Sequence, residues 1–306
     1  MKNKTVIRYI TPIFAIFIAT LFLIGCSREP VDIDINGKCA VIREIKNGRI
    51  LFEKNPDERF PPASTAKIMT AIVAIEMLSP DTEITPSVNA VKAEPTVAGL
   101  TAGVRYRLKD MLSALLVKSG NDAAQAIAEH ISGSEEAFSE IMNAKAAEIG
   151  MNDTYFATAS GFPTGEKDLQ YITAKDLSIL MQYAARYETL LEILSVKETE
   201  MKGSDGKTIR LRTHNRALLR DDDAPWGKTG YTKEAKRTFA GVDPSLQPKI
   251  VFSILQSKEL WDDIDTLGKK GIELYQGRHR SLLMDLIKWI KRQRGIEPAR
   301  VTANLS

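Results

Sequence analysis

Apolar and polar positions alternate in two parts of the chain, and both predict strands. Residues 39–45 and 49–54 are β-rich runs on either side of Asn47-Gly48, a dipeptide that favours a tight hairpin turn. Residues 226–256 contain three further apolar runs with short polar connections, which predict three successive antiparallel strands. Strands are therefore expected near both ends of the folded part of the chain.

Between these strands, apolar residues recur every three or four positions, which is the period of an amphipathic helix. The predicted helices are 64–78, 107–117, 123–131, 136–149 and 173–186, with 188–194 extending the last, and a closing helix over 262–275. Two short strands are expected at 196–201 and 208–212. Ser119, Gly120 and Asn121 form a polar corner between the second and third helices, where Asn121 or Asp122 can cap the third.

Residues 277–306 form a basic tail, in which 281–294 has the pattern of an amphipathic helix. Leu282, Leu286 and Trp289 are spaced for one face, and several lysines and arginines lie between them. We favour packing of this helix on the same domain. The alternative is a second contact with a membrane surface.

The first 25 residues have the pattern of an export signal. Lysines and an arginine precede an almost unbroken apolar run over 10–24, which is short for a membrane span. The run ends in Leu-Ile-Gly-Cys26, which resembles a bacterial lipoprotein signal and implies cleavage before Cys26 with lipid on its thiol. A plain signal peptide or a signal anchor is the alternative. Residues 26–36 are then a polar tether, and Ser27 carries no inner-membrane retention signal, which favours the outer membrane.

Composition excludes several classes of protein. A net charge of +3 over 306 residues does not indicate a nucleic-acid partner. The two cysteines, Cys26 and Cys39, cannot form a disulfide framework, and we interpret Cys39 as a strand residue without chemistry. The three histidines are far apart and no glycine-rich phosphate loop is present, so we expect neither a metal nor a cofactor.

The candidate chemistry begins at Ser64 and Lys67, which follow Pro61-Pro62 at the start of the first helix. A spacing of three places the two side chains on one helix face. The helix is almost entirely apolar, so its burial would lower the pKa of the lysine and make it a candidate base for a serine nucleophile. The ordinary alternative is a serine cap followed by an exposed lysine.

Two further motifs change that interpretation. Ser119-Gly120-Asn121 lies about 55 residues after Ser64, and Lys228-Thr229-Gly230 lies about 110 residues further on. A serine-x-x-lysine pair followed by these two elements, with Asp in the middle motif, is the pattern of β-lactamases and penicillin-binding proteins. Together with an export signal, the three motifs favour a serine acyl-transfer enzyme.

The resemblance extends beyond the motifs. Residues 55–64, 116–124 and 227–232 are similar to the D-alanyl-D-alanine carboxypeptidases, which are low-molecular-mass penicillin-binding proteins, and the similarity covers residues 37–276. It implies an α+β, β-lactamase/transpeptidase-like fold, with a five-stranded antiparallel sheet flanked by helices and an all-helical subdomain. It also implies that stem peptides of peptidoglycan are the substrates and that β-lactams are acylating inhibitors.

The same resemblance implies the roles of the site residues. Ser64 attacks the carbonyl between two D-alanines, Lys67 is the base, and Ser119 relays a proton to the leaving amine. The remaining expected roles are positioning by Asn121, carboxylate binding by a charged Lys228 with Thr229, and close substrate approach at Gly230, Tyr231 and Thr232. The oxyanion is expected at the backbone N–H groups of Ser64 and Tyr231, with the substrate lying as an extra strand along 228–232.

Departures from the family pattern leave fine specificity open. Gln170 or Tyr171 falls where many members have histidine, and Gly227 follows Trp226 where isoleucine or valine is usual. A second, β-rich C-terminal domain is not expected, and members that lack it include endopeptidases that cut cross-links. Two rival functions are a class A-like β-lactamase that uses Glu166, which we instead predict to lie in a surface loop, and a lipoprotein that only binds stem peptides.

Overall fold

The computed structural model describes residues 31–163, 169–245 and 247–293. Contacts divide the chain into residues 1–34, of which 31–34 are described, and residues 35–306, which contain every helix and strand below. The predicted signal and Cys26 lie outside the described residues. The domain boundaries predicted at residues 26, 37 and 277 stay predictions.

The strands and helices alternate in blocks along the chain. The strands are β1 (Cys39–Glu44), β2 (Ile50–Lys54), β3 (Glu83–Ile84), β4 (Tyr106–Arg107), β5 (Glu198–Lys202), β6 (Thr208–Arg212), β7 (Trp226–Thr232), β8 (Lys236–Val242) and β9 (Ile250–Ser257). The helices are α1 (Lys67–Met77), α2 (Leu108–Leu116), α3 (Asn121–Ser132), α4 (Glu135–Glu148), α5 (Ala174–Ala184), α6 (Glu188–Ser195), α7 (Arg216–Arg220) and α8 (Leu260–Gln293).

The main sheet joins the first and last strands of the chain. Its order is β2-β1-β9-β8-β7 and every pair is antiparallel. Pairing of β1 with β9 connects the predicted hairpin to the three predicted C-terminal strands. The five-stranded α+β architecture expected from the sequence is therefore confirmed, and β7 is an edge strand.

Helices cover both faces of this sheet. Ser253 of β9 donates a hydrogen bond to Ala174 of α5, whereas Ile250, three positions earlier, lies against Gly271 of α8. Residues separated by an odd number along a strand point to opposite faces, so α5 and α8 lie on opposite sides. This explains why Cys39–Glu44 is buried at every position. Burial also raises the pKa of the Cys39 thiol to about 11, which agrees with a structural role.

The all-helical part is organised around α1, which packs against α2, α3 and α4. Residues 67–74 of α1 are all buried, including Lys67. Such a helix is stabilised by apolar contact on every side rather than on a single stripe. It therefore fixes the position of any side chain at its first turn.

Several predicted boundaries were wrong. Residues 63–66 form a 3₁₀ turn before α1, and 188–195 is a separate helix, not an extension of α5. The N-cap of α3 is Gly120 and neither Asn121 nor Asp122. The Asn121 side chain bonds Lys67, whereas Asp122 Oδ1 accepts from the Ala98 N–H and also from the Ala123 N–H in the first turn of the helix. The sequence did not predict the short helix α7.

The closing helix and the tail helix form one continuous element, α8, up to residue 293. Gly277 does not interrupt it, since a single glycine in a helix costs only about 1 kcal/mol. The favoured packing of the tail on the domain was wrong, because Leu282, Leu286 and Trp289 are more than half exposed. Within the described part of the chain, no helix combines the length and apolarity needed to cross a membrane.

Gly161 supports the turn that carries Ser64, and this support can be tested. Its φ is +74°, and a Cβ there would lie 1.9 Å from the Ala63 carbonyl oxygen. We expect Gly161→Ala to lower the free energy of unfolding by about 3 kcal/mol, through left-handed strain and overlap with backbone. Gly133→Ala is the matched control, because its φ is +81° and nothing lies within 4 Å of the added Cβ.

For Gly133→Ala we expect a loss of about 1 kcal/mol from strain alone. Urea unfolding measures both values, and acylation by a labelled penicillin reports the Ser64 turn. Equal stability losses in the two variants would contradict the proposed contact between Gly161 and Ala63.

Candidate active site

Ser64 lies on the 3₁₀ turn that precedes α1. The turn begins with Ala63, whose φ of +48° is uncommon for a residue with a side chain. Thr238 of β8 and Thr65 of the turn both donate to the Pro62 carbonyl, at 3.2 and 2.6 Å. The bond from Thr238 holds this turn against the sheet, and the bond from Thr65 closes the turn itself.

The Lys67 amine is fully buried one turn after Ser64. Its Nζ lies 3.0 Å from Ser64 Oγ, 2.7 Å from Asn121 Oδ1 and 2.9 Å from the Ser160 carbonyl oxygen. The last two atoms can only accept hydrogen bonds. A neutral amine donates one hydrogen to each of them and keeps its lone pair for the Ser64 hydroxyl.

Burial makes this neutral form accessible. Loss of water around the amine, followed by the nearby Lys228 charge, holds the pKa of Lys67 well below its ordinary value of 10.5. Asp122 and Glu135 oppose this shift but do not reverse it. The arrangement therefore places an amine with a lowered pKa in contact with a serine hydroxyl, and its role as the base stays a prediction.

Residues 119–121 form the second wall of the site. Ser119 has a φ of +62°, and such strained conformations in residues with side chains are concentrated at functional sites. Asn121 Nδ2 donates to the Glu94 carbonyl at 3.0 Å, which orients Oδ1 towards Lys67. The buried Asp122 carboxylate accepts from the backbone N–H groups of residues 98, 99 and 100, so it holds the neighbouring loop against this corner.

Strand β7 supplies the third wall. Lys228 Nζ, almost fully buried, donates to Ser119 Oγ and to the Thr229 carbonyl, both at 2.8 Å. Burial lowers the pKa of Lys228 to about 7. The charged Lys228 expected from the sequence stays a prediction: burial disfavours the ammonium in the free site, whereas a bound carboxylate would favour it.

The glycines of β7 allow close approach. A Cβ at Gly230 would lie 2.8 Å from the Ser64 backbone nitrogen and 2.4 Å from Thr238 Oγ1. At Gly227 it would lie 2.4 Å from the Ala240 carbonyl oxygen and 2.5 Å from the Phe239 ring, so a side chain does not fit there. Gly230 thus leaves room beside the Ser64 N–H group.

The other predicted residues of β7 have different surroundings. Tyr231 is 65% exposed and lines the same cavity as Ser64 and Thr229. The Thr232 hydroxyl accepts from the Ala235 N–H at 2.9 Å, so it serves the β7–β8 turn and leaves only its backbone for a ligand. Because β7 is an edge strand, its outer side can accept an extended peptide.

One cavity of about 770 Å³ connects these parts. It is lined by Ser64, Ser119, Thr229, Gly230 and Tyr231. It is also lined by residues that were not predicted from the sequence, Arg212, His214, Arg216, Arg220 and Arg237. The available signal was a cation or histidine at every second position from 210 to 216.

Gln170 and Tyr171, which depart from the pattern expected from the resemblance, have different surroundings. The backbone N–H of Tyr171 donates to the Tyr155 carbonyl, and the Tyr155 N–H donates to the Tyr171 carbonyl. The Arg59 guanidinium lies over the Tyr171 ring. Gln170 is buried, with Nε2 3.5 Å from Thr158 Oγ1. Glu166, the catalytic residue of the β-lactamase hypothesis, lies outside the described residues.

Comparison with known proteins identifies the family. The family model described as D-alanyl-D-alanine carboxypeptidase matches residues 26–256, and the chain belongs to this family of serine peptidases. The chain is 34% identical over 204 residues to the D-alanyl-D-alanine carboxypeptidase DacF of Bacillus subtilis, covering 65% of this chain and 52% of that protein. It therefore spans about half the length of this relative.

Two other relatives are covered over more of their own length. A D-alanyl-D-alanine endopeptidase of Escherichia coli is 31% identical over 209 residues, covering 66% of this chain and 65% of that protein. The crystal structure of a D-alanyl-D-alanine carboxypeptidase from Mycobacterium tuberculosis is 29% identical with a TM-score of 0.74, covering 80% of this chain and 94% of that chain. The predicted family, fold class and serine-peptidase class are confirmed.

The lowered pKa of Lys228 predicts a pH dependence. The charged form, which attracts a substrate carboxylate, is lost as the pH rises through about 7 in the free enzyme. We therefore expect kcat/KM for an acyl-D-alanyl-D-alanine peptide to fall above that pH, because kcat/KM reports the pKa values of free enzyme. The same peptide with its C-terminus amidated is the control. It lacks the charge, so a decline of equal size at the same pH would contradict this role.

Proposed function

We propose that the protein is a serine D-alanyl-D-alanine carboxypeptidase that removes the terminal D-alanine from pentapeptide stems of peptidoglycan. The observation that carries this proposal is the contact of the buried Lys67 amine with Ser64 Oγ, which opens on one cavity with Thr229 and the β7 edge. Nucleophile, base and carboxylate site are thus within reach of one extended peptide. No cofactor is needed for this chemistry.

Acylation of Ser64 is the first step. Lys67 takes the hydroxyl proton as Oγ attacks the carbonyl between the two D-alanines. The C–N bond then breaks, and the proton returns to the leaving nitrogen through Ser119. Ser119 Oγ already accepts from Lys228, so its own hydrogen is free to donate. Water hydrolyses the acyl-enzyme and restores Ser64.

Backbone groups would stabilise the charged intermediate. The N–H groups of Ser64 and Tyr231 are proposed to hold the oxyanion, beside the space that Gly230 leaves open. Loss of one such donor typically lowers the rate about 100- to 1,000-fold. The free carboxylate of the substrate would bind Lys228 Nζ and the Thr229 hydroxyl, while the peptide backbone pairs with residues 228–232. A β-lactam would acylate Ser64 by the same attack.

An endopeptidase that cuts peptidoglycan cross-links is the second candidate, favoured by the similarity to the Escherichia coli endopeptidase. Its scissile bond has the same D-alanyl carbonyl and differs only in the leaving amine. A class A-like β-lactamase is less well supported, since Gly120 stands where that pattern has Asp.

We also propose an anchored position in the cell envelope. The basic and apolar N-terminus with Leu-Ile-Gly-Cys26 supports export and lipid attachment at Cys26. The residue after that cysteine, Ser27, favours the outer membrane. The exposed apolar residues of α8 near Trp289 favour a second membrane contact.

Product analysis tests the proposed reaction. The full chain is incubated with pentapeptide stems and with cross-linked stem dimers, and products are followed by mass spectrometry. We expect D-alanine and tetrapeptide from the pentapeptide, together with a mass increase on Ser64 after exposure to penicillin. Release of products from cross-linked dimers alone would replace the carboxypeptidase by the endopeptidase.

Ser64→Ala is the matched control for this experiment. It keeps the turn and the Lys67 environment but removes the nucleophile, so we expect loss of both hydrolysis and penicillin labelling. Hydrolysis by this variant at the rate of the unchanged chain would contradict the acyl-enzyme mechanism.

A further inference from the structure

The cavity beside Ser64 carries more positive charge than removal of D-alanine requires. The single carboxylate of that leaving group would be bound by Lys228 and Thr229. Four arginines, Arg212, Arg216, Arg220 and Arg237, line the same cavity, and no acidic residue is among its described lining. The additional charges indicate that a second anionic group is accommodated there.

Two of the four arginines are already engaged. Arg212 Nε pairs with Glu198 Oε1 at 3.0 Å, and Arg237 Nη1 donates to the Lys258 carbonyl at 2.9 Å. The side chains of Arg216 and Arg220 form no hydrogen bond or ion pair with other residues in the described ranges. Their guanidinium donors are therefore available to a ligand.

The fold places these two side chains together. Arg216 and Arg220 are the first and last residues of α7, and a separation of four puts them on one helix face. Asn215 fixes this short helix, because its Oδ1 accepts from the Leu218 N–H and its Nδ2 donates to the Pro225 carbonyl. Pro225 directly precedes β7, so α7 is tied to the strand that would bind substrate.

Neighbouring groups shape the site without neutralising it. The Trp261 ring lies 5.9 Å from the Arg216 guanidinium, a cation–π contact that orients the side chain. Arg220 attracts Asp265, but burial of that carboxyl outweighs the attraction and raises its pKa. No hydrogen bond or ion pair joins Asp265 to Arg220 within the described residues.

We propose that Arg216 and Arg220 form a leaving-group subsite for a second carboxylate, one that is not adjacent to the amine released from Ser64. This rests on the proposed acyl transfer at Ser64. It identifies the substrate class as D-alanyl peptides whose leaving amine belongs to an acidic residue or an acidic peptide, such as a cross-linked stem. The reaction is unchanged: the C–N bond breaks, and the leaving amine takes the proton that Ser64 loses.

An isosteric pair of peptides tests the subsite. The full chain is assayed with acyl-D-alanyl-D-glutamate and acyl-D-alanyl-D-glutamine, with acyl-D-alanyl-D-alanine as reference. A charge-assisted hydrogen bond contributes about 1.5–3 kcal/mol, so we expect kcat/KM to be at least about tenfold higher for glutamate than for glutamine. The ratio of kcat/KM for the glutamate peptide to kcat/KM for the glutamine peptide should fall towards one in the double variant Arg216→Gln/Arg220→Gln. It should also fall when the salt concentration is raised from about 0.02 to about 0.5 M, because salt screens the charge interaction.

Arg210→Gln is the matched control. Arg210 is an exposed arginine of the neighbouring strand β6, pairs with Glu200 and does not line the cavity. Its glutamate-to-glutamine ratio should equal that of the unchanged chain. Penicillin acylation of every variant verifies an intact Ser64 site.

The outcomes separate the two proposals. Suppose that the unchanged chain releases D-alanine from the reference peptide but has a glutamate-to-glutamine kcat/KM ratio near one. This result would overturn the subsite and still support the carboxypeptidase. An equal loss on both peptides in the double variant would also overturn it, because that result assigns the arginines to the carboxylate common to both. If none of the three peptides is cleaved, the proposed function and the subsite both fail.

Discussion

Burial of the Lys67 amine is the constraint on which the site depends. An ammonium removed from water loses several kcal/mol of hydration, so the buried group either pairs with a negative charge or loses its proton. The atoms within 3.0 Å of Nζ are a serine hydroxyl and two carbonyl oxygens. No carboxylate is among these described partners. The fold thus lowers the pKa of Lys67 by burying its amine among acceptors with no carboxylate in contact, and the Lys228 charge adds to the effect.

The same constraint explains why so much of the chain converges here. The helix that buries Lys67 comes from the first quarter of the domain, its partner Asn121 from a corner 54 residues later, and Lys228 from the edge of the sheet. Antiparallel pairing of β1 with β9 brings these segments together. The hydrogen bonds accepted by Asp122 fix the loop at residues 98–100 beside the corner. Gly161 and Gly230 allow the backbone segments of the site to lie at contact distance. Stability of the fold and geometry of the site are therefore set by the same contacts.

Local patterns predicted most of this architecture. The periodicity of apolar residues and the turn residues correctly located the hairpin, the buried helices and the last three strands, because residues close in sequence determine these elements. Predicted boundaries were wrong where tertiary contacts determine the local structure. The first helix is preceded by a 3₁₀ turn, and the Asn121 side chain bonds Lys67 instead of capping α3. The tail of α8 was misjudged because periodicity identifies an apolar face but not what covers it. The arginines of α7 were missed because the alternating cations of residues 210–216 do not show which cavity Arg216 and Arg220 border.

The central claim is that Lys67 is a neutral base in the free enzyme. The most direct measurement is an NMR titration of the full chain with ¹⁵N-labelled lysine side chains, the Lys67 signal being assigned by its loss in Lys67→Arg. We expect Lys67 to titrate well below 10.5. In Asn121→Asp a carboxylate 2.7 Å from Nζ favours the ammonium, so the pKa should rise. A wild-type Lys67 that titrates at or above 10.5 would contradict the account.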